Sequence, residues 1–145
     1  MDKEPMSAKP LGKTLLRIAG ALQSIFAVIA IRDVLPSSIM LITERGYDSA
    51  SLVALFLIFS PLCLCLFSGI FGVVTSNDLK KARTLQTLAI TTIVLLGVAG
   101  ALGAILTSVL IIGLALLILF FIGAQINYME YQKIASSTLR GRRLY

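Results

Sequence analysis

Residues 84 to 129, TLQTLAITTIVLLGVAGALGAILTSVLIIGLALLILFFIGAQINYM, hold no charged side chain. No other feature constrains the fold as strongly. As one straight helix these 46 residues would be about 69 Å long, more than twice a hydrocarbon core of about 30 Å. A run this apolar reads as membrane-spanning, and at this length it reads as two spans rather than one. The break has to be found without proline or charge. Thr107 and Ser108 are the polar residues near its middle, and both are mediocre helix formers. The turn is therefore expected at 106–109, tight and close to the membrane surface, because open backbone cannot be left unpaired in lipid.

Two further apolar runs precede it. LLRIAGALQSIFAVIAI, residues 15 to 31, starts beside Arg17, whose long stem can carry the charge back to the headgroups. SLVALFLIFSPLCLCLFSGIFGVV, residues 51 to 74, would span about 36 Å, enough to cross with tilt. Pro61 within it lacks an N–H and crowds the Leu57 carbonyl, so a kink is expected there. Between these runs lies RDVLPSSIMLITERGYD. Its SIMLIT piece is too short to span and is expected at the interface, as a short helix or turn. Asp48, Ser49 and Ser51 offer capping groups to the following helix.

Charge fixes the number of crossings. With four spans and a cytoplasmic N-terminus, the cytoplasmic segments hold eleven Lys and Arg, and the opposite side holds only Arg32 and Arg45. With three spans the ratio falls to seven against six. The positive-inside bias selects four spans, both termini cytoplasmic. The expected fold is all-α: a polytopic integral membrane protein with four transmembrane helices in an antiparallel bundle, the last two a tight hairpin. A cytoplasmic polar tail covers 1–14 and the membrane domain 15–128, with spans near 15–35, 50–74, 84–106 and 109–128. A basic cytoplasmic segment, 129–145, ends the chain. Its Arg140, Arg142 and Arg143 are placed to meet anionic headgroups at about 1 kcal/mol per charge. The net charge of +6 lies in clusters flanking apolar runs, a pattern of membrane topology rather than of nucleic-acid binding.

Within the spans, GVAGALGA places Gly97, Gly100, Ala101 and Ala104 on one helix face. Small-xxx-small pairs let helix backbones approach closely, either within this chain or between subunits. Gly103 lies off that stripe. Gln23, Gln86, Gln125 and Asn127 all fall toward the cytoplasmic side, as hydrogen-bonding groups between helices or as the lining of a polar vestibule. Cys63 and Cys65, two apart on a helix, do not face each other, so a thiol redox pair is not expected.

All seven carboxylates are expected at or beyond span ends, which disfavours proton-coupled transport. The chain has no histidine, the commonest general base and a common metal ligand. No P-loop or nucleophile–base pair is visible. No enzyme activity, cofactor or metal is expected. The chain has the general shape of small four-span proteins of bacterial cytoplasmic membranes. The expected function is a non-enzymatic membrane-complex subunit or interaction protein, a class that includes immunity and stress roles. The alternative is a small homo-oligomeric channel or carrier. The expected partners are an anionic bilayer and either a protein or further copies of the chain.

Overall fold

The computed structural model describes residues 11–45, 48–103 and 105–142. They form four long helices: α1 Leu11–Arg45, α2 Ser49–Thr75, α3 Ala82–Ala101 and α4 Thr107–Arg142, with a single 3-10 turn, Leu79–Lys81, leading into α3. Four helices are long and apolar enough to cross a membrane. Two aspartates mark helix starts, as short acceptors do when they cap free N–H groups. The Asp48 carboxylate accepts from the Ser51 N–H at 2.8 Å, and Asp78 accepts from Lys80 at 3.1 Å.

Each helix packs on its two flanking neighbours: α1 on α2 and α4, α3 on α4 and α2. Along the α1–α2 seam the contacts run Arg17 with Ser76, Gly20 with Gly69 and Gln23 with Cys65. Residue numbers fall on one helix as they rise on the other. The α3–α4 contacts behave in the same way, from Gln86 with Gln125 to Gly100 with Leu110.

The buried positions follow a spacing of three and four. On α3 they are Ala82, Leu85, Ala89, Thr92, Leu96 and Ala99; on α4, Leu117, Phe120, Ala124 and Asn127. A repeat of 3.5 residues is what keeps one seam facing its neighbours in a left-handed bundle. The interior splits into two layers. Leu16, Ala19, Leu85, Ala89, Phe120 and Ala124 make one; Ala27, Cys65, Leu96, Ala99, Ile105 and Leu117 make the other. Alanine, glycine, serine and threonine dominate the inner seam, while Ile25, Val28, Phe56, Phe67, Ile70 and Ile111 face outward. A soluble four-helix protein places its large aliphatics the other way round.

Two sequence expectations are corrected. The α3–α4 break lies at 102–106, not 106–109. Gly103 takes φ +67° and donates its N–H to the Gly100 carbonyl at 3.0 Å. This left-handed position ends helices cheaply only when glycine fills it. Thr107 and Ser108, taken as helix breakers, begin α4 instead, in keeping with the preference of hydroxyl residues for helix starts. The first helix does not stop near residue 35. It passes through Pro36 to Arg45, so SIMLIT belongs to α1 rather than to a separate interfacial piece. Pro36 deprives the Arg32 carbonyl of its helical partner, and Arg32, Asp33, Pro36 and Ser37 are all exposed, so the break lies outside the packed seams. Past its apolar span α4 continues to Arg142. Pro61 is buried inside an uninterrupted α2.

Candidate functional site

The two ends of the bundle differ. At the end holding the α2–α3 turn, polar groups are spent on one another. The Arg17 guanidinium donates from Nε to Ser76 Oγ at 2.8 Å and from Nη2 to Asn77 Oδ1 at 2.9 Å. Arg17 thus ties α1 to the turn, where snorkelling alone had been expected. Asn127 of α4 donates to the Ser76 carbonyl at 3.4 Å, so three helices meet at this turn. Gly12 leaves the space that the Asn127 carbonyl oxygen fills.

The four amides read as a vestibule are not brought together. Gln23 is fully buried in the α1–α2 seam, where its Nε2 donates to Ser68 Oγ at 2.6 Å and to the Cys65 carbonyl at 3.0 Å. Gln86 donates to Gln125 on an exposed part of the α3–α4 seam. Asn127 lies apart from both, on the α2 turn. The amides act here as interhelical ties, each crossing one seam. The hydroxyls of Ser24, Thr75 and Thr92 are satisfied within their own helices, by carbonyls four residues back.

Of the described residues on the glycine–alanine face, Gly100 alone packs against another helix of the chain. A methyl group on Gly97 would meet nothing within 4 Å, whereas one on Gly100 would meet the Leu110 side chain at 2.5 Å. Gly97 and Ala101 are exposed, and Ala104 lies outside the described residues. The close backbone approach occurs elsewhere, at Gly20 and Gly69. Its signal was present in the spacing Gly20-xxx-Ser24 opposite Cys65-xxx-Gly69. Cys63 is exposed and Cys65 buried, so the two thiols do not share a site. Arg140 and Arg142 belong to the last turn of α4, and Arg143 lies outside the described residues.

The opposite end is open. A cavity of about 400 Å³ lies between α1, α2, the α3–α4 turn and the start of α4. Asp33, Ser37 and Ser38 of α1 and Ser108 of α4 give it polar groups, and Val34, Ile58 and Ile105 are among its apolar walls. A second hollow, about 610 Å³, lies on the other side of α2 between Ser49, Val53, Leu57 and the Leu102–Gly103 turn. Both have one geometric cause. From Asp48 to Ser76 the α2 segment rises about 42 Å, while α3, with its 20 residues, rises about 30 Å. The α3–α4 turn therefore stops level with Leu57 and Ile58, and α1 and α2 stand past it.

This changes the standing of Asp33. The sequence places it at the end of the first span, in the polar connection that follows the apolar run. The structure places it inside α1, twelve residues before that helix ends, on the wall of a cavity. Sixteen residues separate it from Arg17, about 24 Å along the helix. The signal was the spacing of Asp33, Ser37 and Ser38, which puts all three on one side of a helix, but it is readable only once α1 is known to continue through Pro36.

Among the described residues no three His, Cys, Asp or Glu side chains gather as metal ligands would. A packed seam of small residues, one end closed by hydrogen bonds and the other opened around a carboxylate, is the arrangement that any function must use. No protein-family model, no curated protein and no solved structure matches this chain.

Proposed function

We propose that the chain is an integral membrane protein of four antiparallel crossings that acts without catalysis, as a subunit of a membrane complex or as an interaction protein. One observation carries this reading: the bundle is large and aliphatic outside, small and polar inside. Ile25, Val28, Phe56, Val74 and Ile111 are each more than half exposed, while Gln23, Ser68, Thr92 and Asn127 are buried. In water such an exterior would aggregate; in lipid it is the ordinary solvent-facing surface. Small residues inside give the close van der Waals packing that holds helices together where no hydrophobic force acts between them. The interior is filled, with Leu16, Leu85, Phe120 and Leu117 wholly buried, so a single bundle offers no route through its axis. Purification in mild detergent from native membranes is expected to bring down a stoichiometric partner protein; a chain that purifies alone and homogeneous would end this reading.

The orientation follows the charge count. Lys80, Lys81 and Arg83 lie at the Arg17 end of the bundle and α4 leaves at that same end, so both termini face the cytoplasm of a bacterial cell. Arg140, Arg142 and Arg143 then meet anionic headgroups. A cysteine placed at position 140 should react with an impermeant maleimide only after the membrane is opened. Labelling in intact cells would reverse the topology.

A second reading, a small homo-oligomeric channel or carrier, is favoured by one feature: Asp33 in a cavity at the membrane's far side. Solute flux in proteoliposomes separates the two. A sealed membrane supports the interaction protein, and specific movement of a solute supports the carrier.

A further inference from the structure

We propose that the cavity around Asp33 binds an organic ammonium group carried on a compact apolar body. This site goes beyond the reading above and holds whether or not the chain has a protein partner. Among the described residues Asp33 is the only charged one on its wall. The one salt bridge among the described residues joins Lys81 to Asp78, at the other end of the bundle, so no described cation neutralises Asp33. Its polar neighbours are hydroxyls. Ser38 already donates its proton to the Val34 carbonyl at 2.9 Å, which leaves its oxygen as an acceptor. Ser37 and Ser108 can turn their oxygens inward, because a hydroxyl proton rotates to suit its partner. A carboxylate and three hydroxyl oxygens present acceptors to a group that has several N–H donors and one positive charge. Val34, Ile58 and Ile105 supply apolar wall for the rest of the ligand. The volume, about 400 Å³, lies in the range of small-molecule sites, roughly 300–1,000 Å³.

Position adds a second argument. Measured from Arg17, Asp33 lies about 24 Å across a hydrocarbon layer of about 30 Å, within the far leaflet and just short of its headgroups. A carboxylate at that depth is costly unless it is paired or reaches water. A ligand cation that enters from the membrane boundary provides the pairing that the described chain does not. Two sources share this chemistry, a soluble hydrophobic amine and the amine headgroup of a phospholipid.

The test uses the full chain, purified in neutral detergent, and three probes of one shape: adamantylammonium, adamantanol and adamantane carboxylate. Equilibrium dialysis should show saturable binding of the ammonium alone. Asp33→Asn should weaken it about tenfold or more, since a unit charge pair near a protein surface spans the range from weak to strong with local dielectric. Ile58→Trp, which fills the cavity and keeps the carboxylate, should also abolish it while thermal melting confirms that the variant is folded. Adamantanol binding as tightly as the ammonium would overturn the proposal on the unaltered protein, with no variant needed. Undiminished binding in a folded Asp33→Asn variant would do the same. Repeating the dialysis in nanodiscs distinguishes the sources: competition from added phosphatidylethanolamine over phosphatidylglycerol assigns the site to lipid amine, and unaffected binding assigns it to soluble amines.

Discussion

Gly20→Leu should lower the unfolding free energy by about 3 kcal/mol, at the upper end of the usual cost of overpacking, and Gly97→Leu should change it by less than about 0.5 kcal/mol. The comparison is close because both glycines sit within helices, in apolar segments, and gain the same side chain. They differ in what the new atoms meet. A methyl group on Gly20 would lie 2.7 Å from the Gly69 carbonyl oxygen and 3.2 Å from a Val73 methyl. The first of these is backbone, which cannot rotate away as a flexible side chain can. Gly69 reports the same contact from the other side, 2.7 Å from the Gly20 oxygen. The helices can admit leucine only by separating. That would stretch the bonds from Gln23 to Ser68 and from Arg17 to Ser76, one turn away on either side. Loss of helicity in a dodecyl sulfate titration measures the effect. Equal behaviour of the two variants would mean that α1 and α2 do not touch at Gly20. If Gly97→Leu leaves stability unchanged but reduces the particle size in mild detergent, the outward glycine face is a contact between copies, the alternative left open by its spacing.

What the sequence made legible follows from where contrast exists. Charge against no charge is a strong contrast, so the four apolar helices and the polar turn around Asn77 were readable directly. The inward seams were not. Hydrophobic periodicity finds a buried face by setting apolar against polar residues, and a helix in lipid is apolar all round. The contrast that remains is size. Ala82, Leu85, Ala89, Thr92, Leu96 and Ala99 keep a strict spacing of three and four, yet Leu88, Ile93 and Leu95 between them are just as apolar. GVAGALGA drew the eye because its glycines are clustered, but only Gly100 among them meets another helix. Its off-stripe member, Gly103, makes the turn, and that role depends on a positive φ which composition does not reveal.

The candidate site was misplaced for a related reason. Arg32, Asp33 and Pro36 together read as a loop, since a charge pair followed by proline ordinarily ends a helix. Here the helix continues. Asp33 thereby moves from the end of the first span onto a cavity wall, and the argument that the carboxylates lie at or beyond span ends loses one of its seven members. The amides failed in the opposite way. Gln23, Gln86, Gln125 and Asn127 were read as lying toward one side, but nothing in one dimension says which seam each helix turns them into.

The second large effect concerns the ring in the layer formed by Leu16, Ala19, Leu85, Ala89 and Ala124. Phe120 is wholly buried and lies directly over Gly72. A methyl group on that glycine would overlap the ring's Cε2 and come within 2.7 Å of its Cζ. Phe120→Ala should cost about 3 kcal/mol, the low end for aromatic truncation in a core. The low end applies on the proposed membrane reading: the separated helices then stay in lipid, so the loss is one of packing contacts and cavity rather than of transfer from water. Gly72→Leu should also destabilise, by about 1–3 kcal/mol or somewhat more, because the ring has packed neighbours in Leu16, Leu85 and Ala89 and little room to retreat. The double variant decides the matter. Leucine at 72 grows into the space that the ring vacates, so Gly72→Leu with Phe120→Ala should be more stable than the sum of the two losses by about 2 kcal/mol, a coupling expected only of residues in contact. Circular dichroism during a dodecyl sulfate titration of the four proteins gives the cycle. Strict additivity would place Phe120 away from Gly72 and remove the α2–α4 contact across the centre of the bundle.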